Sequence, residues 1–270
     1  MLYNADMPGR ERSFRVEAVV LRHSDWGEAD RLLTLFTREM GKLRAVAKGV
    51  RKLRSRKAGH LEPFTRVSLQ LARGRDLPIL TQADTLAANT PLKEDLLLLG
   101  YASYAVELLD RFTFEEGENR PLYRLFSETL ERLSAGNEPA YVLRYYELRL
   151  LDLMGFRPQL FQCAMCEAEI MAQAQFFSSE QGGVLCPKCG SEMAGARPIS
   201  VSALKFLRHY QRSSFAEAGR ARIDAGVSRE MEGIMQDYLT YLLERGLNTP
   251  SFIKRIKTLV NSSSKENLSG

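Results

Sequence analysis

Near Thr90 the apolar residues of this chain change their spacing, from every second position to every third or fourth. Strands need the first period and helices the second. The chain is therefore constrained to a β-rich beginning followed by a mainly helical remainder, an α+β arrangement. Within residues 14–84 five runs read as strands. Val16, Ala18 and Val20 alternate with Glu17, Val19 and Leu21, which predicts a strand covered on much of both faces. "DRLLTLFT" and "KLRAVAKGV" are joined by "REMG", a link that suits a hairpin with Gly41 at positive φ. "FTRVSLQLAR" and "LPILTQADTL" follow, separated by "GRD". Five strands in about seventy residues with hairpin signals predict a small five-stranded β-barrel, and an OB-fold fits best.

The helical part begins at "TPLKEDLLLLGYASYAVELLDRF", with Thr90 read as the N-cap and Pro91 as the first helical residue. Leu92, Leu96, Leu99, Ala102, Val106 and Leu109 form its expected buried stripe. Similar patterns predict helices at about 121–134, 138–154, 200–212, 228–245 and 250–260. The expected organisation is a barrel domain over 1–84 and a helical domain over 85–260, interrupted at 160–198. The polar residues 261–270 read as a disordered tail.

The interruption contains all four cysteines, "CAMC" (Cys163, Cys166) and "CPKCG" (Cys186, Cys189), with 19 residues between the pairs. Two Cys-x-x-Cys pairs so separated match a zinc ribbon. Each two-residue gap lets both thiolates of a tight turn reach one ion, and two turns complete a tetrahedral S₄ shell. Such a shell leaves no open ligand position, so one structural zinc per chain is expected. Gly190 suits the turn after the second pair, and Glu167 occupies the matching place after the first. An iron–sulfur cluster is the alternative; two disulfides would need an oxidising compartment.

No catalytic centre is legible. His23, His60 and His209 stand apart, and there is no Gly-x-Ser-x-Gly, phosphate-binding lysine loop or dinucleotide-binding glycine motif. "SDWGEAD" gathers Asp25, Glu28 and Asp30, a pattern open to a metal-dependent nuclease but more simply a solvated acidic turn. Glu115 and Glu116 read the same way. No catalytic residue is assigned and the expectation is a non-enzyme. No run of about 20 apolar residues is available for a membrane span. The N-terminus also lacks the apolar block of an export signal, so the cytoplasm is the expected compartment.

Charge is uneven. Residues 1–84 carry 17 Lys and Arg against 10 Asp and Glu, whereas the rest carries 21 against 23. Eight of the cations are Lys42, Arg44, Lys48, Arg51, Lys52, Arg54, Arg56 and Lys57, without an intervening acid. Alternation puts Lys42, Arg44 and Lys48 on one strand face, and the rest extend along what reads as a flexible connector. This pattern predicts contact with a nucleic-acid backbone. The run has no aromatic residue, which points to phosphates over bases, although Phe64 and Tyr3 are available nearby for stacking. An RNA-binding zinc protein is an alternative.

The stretch "EAVVLRHSDWGEADRLLTLFTREMGKLRAVAKGVRK", the closing "DTL", and the later "ELRLLDLMGFRPQLFQCAMC" and "FFSSEQGGVLCPKCG" resemble the RecO family of bacterial DNA repair proteins. The resemblance runs over roughly residues 14–250. It implies an N-terminal OB-fold and a recombination mediator that binds single- and double-stranded DNA and anneals complementary strands. It implies that RecR is a partner and that RecA is loaded onto strands coated by single-strand-binding protein, whose acidic C-terminal tail is recognised. It also carries the zinc site to Cys163, Cys166, Cys186 and Cys189, and the DNA-binding surface to Lys42–Lys57. Some relatives lack the cysteines, which implies a structural role for the metal.

Overall fold

A computed structural model describes residues 13–113 and 117–266, with side chains described through residue 259. Tyr3, Glu115, Glu116 and residues 267–270 lie outside the described residues. By contact the chain divides into two units, Met1–Thr90 with Phe114–Ser127, and Pro91–Thr113 with Glu128–Gly270.

The first unit is built on five strands: β1 (Ser13–Trp26), β2 (Asp30–Thr37), β3 (Gly41–Ala47), β4 (Arg66–Ala72) and β5 (Ile79–Ala87). They close into a barrel in the order β1-β2-β3-β5-β4, with β1 pairing β4, the five-stranded OB arrangement the alternation predicted. β1, 14 residues long, pairs β4 through Ser13–Val19 and β2 through Ala18–Trp26, with a register shift between Val20 and Arg22. Inward residues Val16, Ala18, Val20, Leu33, Leu35, Ala45, Val67, Leu69, Leu71 and Leu80 make one core. Each fully buried Val or Leu contributes about 1.5–3 kcal/mol. The β2–β3 turn has Gly41 at φ +70° as expected, and an added Cβ there would lie 2.2 Å from the Gly117 carbonyl oxygen.

The connection from β3 to β4, expected as a flexible connector, follows a series of turns. Val50 and Leu61 are buried in the barrel core and pin both ends. Between them the chain turns through hydrogen bonds from Lys52 N to Gly49 O and from Ser55 N to Lys52 O, then a 3₁₀ turn at Ala58–His60.

In the second unit, α1 (Pro91–Glu94) is a single turn and α2 spans Leu96–Phe112. The two are separated at Asp95, an extended residue whose carboxylate accepts the Leu98 N–H. Asp95, not Thr90, is thus the N-cap of the long helix; of the expected stripe Leu92, Ala102 and Leu109 are buried, and the buried face is wider than expected on one side. Leu96 is exposed, while Ala102, Ala105, Leu108, Leu109 and Phe112 are buried. The run of four leucines at 96–99 fits several helical phases, so the break at Asp95 decides the face. Helices α3 (Arg120–Ser134) and α4 (Pro139–Leu153) follow, and Gly155 at φ +82° ends the latter. The first half of α3, grouped with the barrel, places Tyr123 and Phe126 against Phe36, with ring centroids 6.0 and 6.1 Å apart.

Strands β6 (Gln175–Ser178) and β7 (Gly183–Leu185), helix α5 (Pro187–Glu192) and strand β8 (Arg197–Ile199) form a small insertion whose sheet order is β7-β6-β8. Helices α6 (Val201–Arg212), α7 (Phe215–Ala218), α8 (Ala225–Leu243) and α9 (Thr249–Glu266) complete the unit. α9 remains helical to Glu266, beyond the point at which the polar sequence predicted fraying. α4 carries a buried charge: Glu147 pairs with Arg144 and accepts a hydrogen bond from Tyr104 Oη at 2.8 Å. No helix among the described residues is long and apolar enough to cross a membrane.

Candidate nucleic-acid interface and metal centre

The cations of the barrel unit are not one row. Register places Lys42 opposite Phe36 beside the β2–β3 turn, whereas Ala47 lies opposite Arg31 at the other end of the hairpin. Lys42 and Lys48 are thus about 20 Å apart at strand rise. Arg44, Lys48, Lys52, Arg54 and Arg56 are exposed. Arg51 and Lys57 are engaged by neighbouring segments of the barrel unit. The Arg51 guanidinium meets Asp25 Oδ2 at 3.0 Å and donates to the carbonyls of Gly27 and Glu28 at 3.3 and 3.2 Å. Lys57 Nζ donates to the Lys48 and Leu80 carbonyls, each at 3.4 Å. Both brace the loop so that its other cations are presented from a fixed frame.

Of the two aromatic residues expected to be available for stacking, only Phe64 lies among the described residues. Phe64 is buried, at φ +65°, and Tyr3 is outside the described residues. Trp26 at the end of β1 is exposed instead. The acidic turn beside it is partly committed to structure: Asp25 to Arg51, and Asp30, whose Oδ1 accepts the Gly49 N–H at 2.7 Å. Asp25, Glu28 and Asp30 are not brought together as metal ligands.

In the second unit the four cysteines are. Their sulfur atoms all lie within 4.8 Å of one another, the one grouping among the described residues that could hold a metal ion. The Cys166 and Cys186 sulfurs are 3.8 Å apart, and a tetrahedron with Zn–S bonds of about 2.3 Å has edges of about 3.8 Å. The first pair sits at the tip of a short hairpin fixed by Cys163 N to Ala168 O at 2.8 Å and Glu167 N to Cys163 O at 2.9 Å. The second opens α5, with Cys186 at the N-cap and Pro187 at the first helical position. Gly190 closes the turn after the second pair as expected, its N–H donating to the Cys186 carbonyl at 2.8 Å in the place that Glu167 matches after the first. Glu167 takes the left-handed conformation, at φ +59°. Gly190 lies inside α5 and is small because a Cβ would come 2.3 Å from the Phe176 ring.

The thiols differ in acidity. Burial alone would raise the Cys163 thiol, but backbone N–H groups of Cys186, Cys166 and Met165 aimed at its sulfur outweigh this and lower it to about 6. Cys189 is pushed up to about 12, chiefly by its hydrogen bonds with Cys186 and Cys166.

Residues 12–89 match the family profile described as the N terminal part of Recombination protein O, and residues 93–250 match the one described as its C terminal part. The chain belongs to the RecO family. A DNA repair protein RecO of Roseiflexus is 42% identical over 255 residues, covering 94% of this chain and 90% of that protein. Proteins of the same name from Dehalococcoides mccartyi and Pelotomaculum thermopropionicum are 35% and 36% identical, over 87% and 90% of this chain and 93% and 94% of theirs. DNA repair and recombination are thus the setting in which this RecO-family chain works. The closed barrel falls within the N-terminal match and the cysteine cluster within the C-terminal one. The brace by Arg51 and the exposure of Trp26 were not legible in the sequence. The signal was the acid run "SDWGEAD", whose partner is the adjacent basic loop rather than a metal.

Proposed function

We propose that this protein is a non-enzymatic recombination mediator that binds single- and double-stranded DNA and anneals complementary strands. In this reading it acts in the cytoplasm with RecR to help load RecA onto strands coated by single-strand-binding protein, whose acidic C-terminal tail it recognises. The observation that carries the reading is the set of exposed cations, Arg44, Lys48, Lys52, Arg54 and Arg56, on a barrel loop pinned at both ends. Lys42 adds a cation at the far end of the hairpin. Arg51 and Lys57 hold the loop in shape.

Annealing needs no bond chemistry. Cations that neutralise phosphates on two strands reduce their mutual repulsion, and contacts blind to sequence let the strands search for register. Recognition of an acidic tail at a separate site would raise the local concentration of the annealer on coated DNA. The four cysteines, in this reading, hold one structural zinc ion. Bound there, zinc neutralises the thiolates and cross-links two segments of an insertion too small to support itself.

Salt dependence tests the DNA assignment. The variant with Lys48, Lys52, Arg54 and Arg56 all replaced by alanine should bind a single-stranded oligonucleotide more weakly. Its plot of log affinity against log salt should be shallower by about 3, at about 0.7 per lost phosphate contact. An unchanged affinity and slope would refute the assignment.

A further inference from the structure

Phosphate contacts hold a strand but leave its bases free, and proteins that bind single strands without sequence preference add aromatic surfaces on which bases stack. The basic loop has no aromatic residue. Among the described residues of the barrel unit, Phe36, Phe64, Tyr123 and Phe126 are buried and Phe14 is half-buried. Trp26 is 49% exposed, the one aromatic side chain there that is open to solvent. Its place is specific. It is the last residue of β1 and pairs with Asp30 at the start of β2, and Arg31 pairs with Ala47 at the end of β3. Trp26, Asp30 and Lys48 therefore lie at the same end of the barrel.

The turn that follows Trp26 is locked to the basic loop. Arg51 binds Asp25 on one side of it and the Gly27 and Glu28 carbonyls on the other, and the Arg51 N–H donates to the Ala29 carbonyl at 2.9 Å. The space around Gly27 is open: a Cβ built there would meet nothing within 4 Å. An open depression of about 570 Å³ beside the turn is lined by Glu28, Ala29, Asp30, Lys48, Gly49 and Lys52. Of the nearby acids, Asp25 is ion-paired with Arg51, and the Asp30 carboxylate accepts the Gly49 N–H, so the rim presents Lys48 and Lys52 beside Glu28 and Asp30. Cations beside an unshielded indole on a braced turn suit a strand whose backbone lies along the loop and whose bases turn toward the ring.

We propose that Trp26, on a turn that Arg51 fastens to the cation-bearing loop, is the base-stacking side chain of this interface. The proposal rests on the DNA-binding reading above. It adds that single strands are gripped through bases as well as phosphates, so that unpaired DNA is preferred over duplex at this end of the barrel.

The chain has one tryptophan, so its fluorescence reports this site alone. The full-length protein would be titrated with an oligothymidylate, an abasic oligonucleotide of equal length and a duplex. The expected result is quenching of Trp26 by oligothymidylate and little change with the abasic strand. Trp26→Ala should bind oligothymidylate about 5- to 150-fold more weakly, the effect of one lost stack. Its affinity for the abasic strand and its salt slope should match the wild type, and Trp26→Phe should recover much of the loss. Equal binding of oligothymidylate by wild type and Trp26→Ala would overturn the proposal. So would an equal loss on intact and abasic strands, which would mean only a distorted turn. If the wild type binds none of the three nucleic acids, the DNA-binding reading itself fails, and the stacking role with it.

Discussion

Cys186→Ser is expected to abolish metal binding and to unfold residues 160–198. The insertion has little else to hold it: three strands of four, three and three residues around Ile170, Phe177, Val184, Leu185 and Ile199. A core of that size does not offset the conformational entropy of ordering its chain. Structural zinc sites in small peptides contribute about 10–16 kcal/mol of apparent binding energy, all of it available to folding. Serine supplies no thiolate, and three sulfur ligands leave the shell incomplete. The loss would spread into the surrounding helices through named contacts. Arg208 Nε donates to the Leu160 carbonyl at 2.7 Å, Gln211 Nε2 to the Pro158 carbonyl at 2.8 Å, and Tyr238 Oη to the Phe156 carbonyl at 3.0 Å. Metal analysis should fall from one zinc per chain to none, and amide exchange over 160–198 should accelerate to near the unfolded rate. Lys188→Ala, an exposed change inside the second cysteine pair, should alter neither. Wild-type protein purified without chelator and free of metal would refute the assignment.

Arg144→Ala is expected to be the most destabilising single change in the helical unit outside the cysteines. Glu147 is fully buried, and the Arg144 side chain beside it is nearly so. Burial pushes the Glu147 carboxyl up, against the downward pull of Arg144 and of the Tyr104 hydrogen bond. Removing the guanidinium leaves a buried carboxylate without its counter-charge, a change that costs about 3–5 kcal/mol. The deficit should depend on pH. A carboxyl whose folded pKa is raised binds a proton in the folded state that the unfolded chain has already released. Unfolding free energy therefore falls as pH rises from the unfolded value of about 4.3. Relative to wild type, the variant should lose least near pH 4 and progressively more toward neutrality. Replacing the pair together, as Arg144→Met with Glu147→Leu, should cost much less than Arg144→Ala. Urea unfolding across that pH range checks both statements. A deficit that is flat with pH would mean that Arg144 matters through packing alone.

What the sequence made legible follows from how local each signal is. The alternation of Val67, Leu69 and Leu71 and the Gly41 turn act between neighbours, so the barrel strands were readable. The cysteine pairs were readable because a two-residue gap is itself the geometry of the turn. Features that depend on a distant partner were not. Arg51 looks like every other cation of its run until the fold brings Asp25 and the Gly27 carbonyl to it. Phe64 looks available for stacking until the fold buries it. The helical face after Thr90 is only partly legible: Leu92, Ala102 and Leu109 are buried as their spacing predicts, but leucines at 96–99 satisfy more than one phase, and Asp95 chooses between them by capping. Gly190 closes the expected turn, but its need for a hydrogen in place of a side chain comes from Phe176 on a neighbouring strand, which local sequence does not show.

The most direct test of the central claim is the rate at which two complementary strands anneal, first bare and then coated with single-strand-binding protein. The account predicts acceleration in both cases by the wild-type protein. The variant lacking Lys48, Lys52, Arg54 and Arg56 should fall back toward the spontaneous rate. Annealing no faster than without protein, or a variant as active as the wild type, would contradict it.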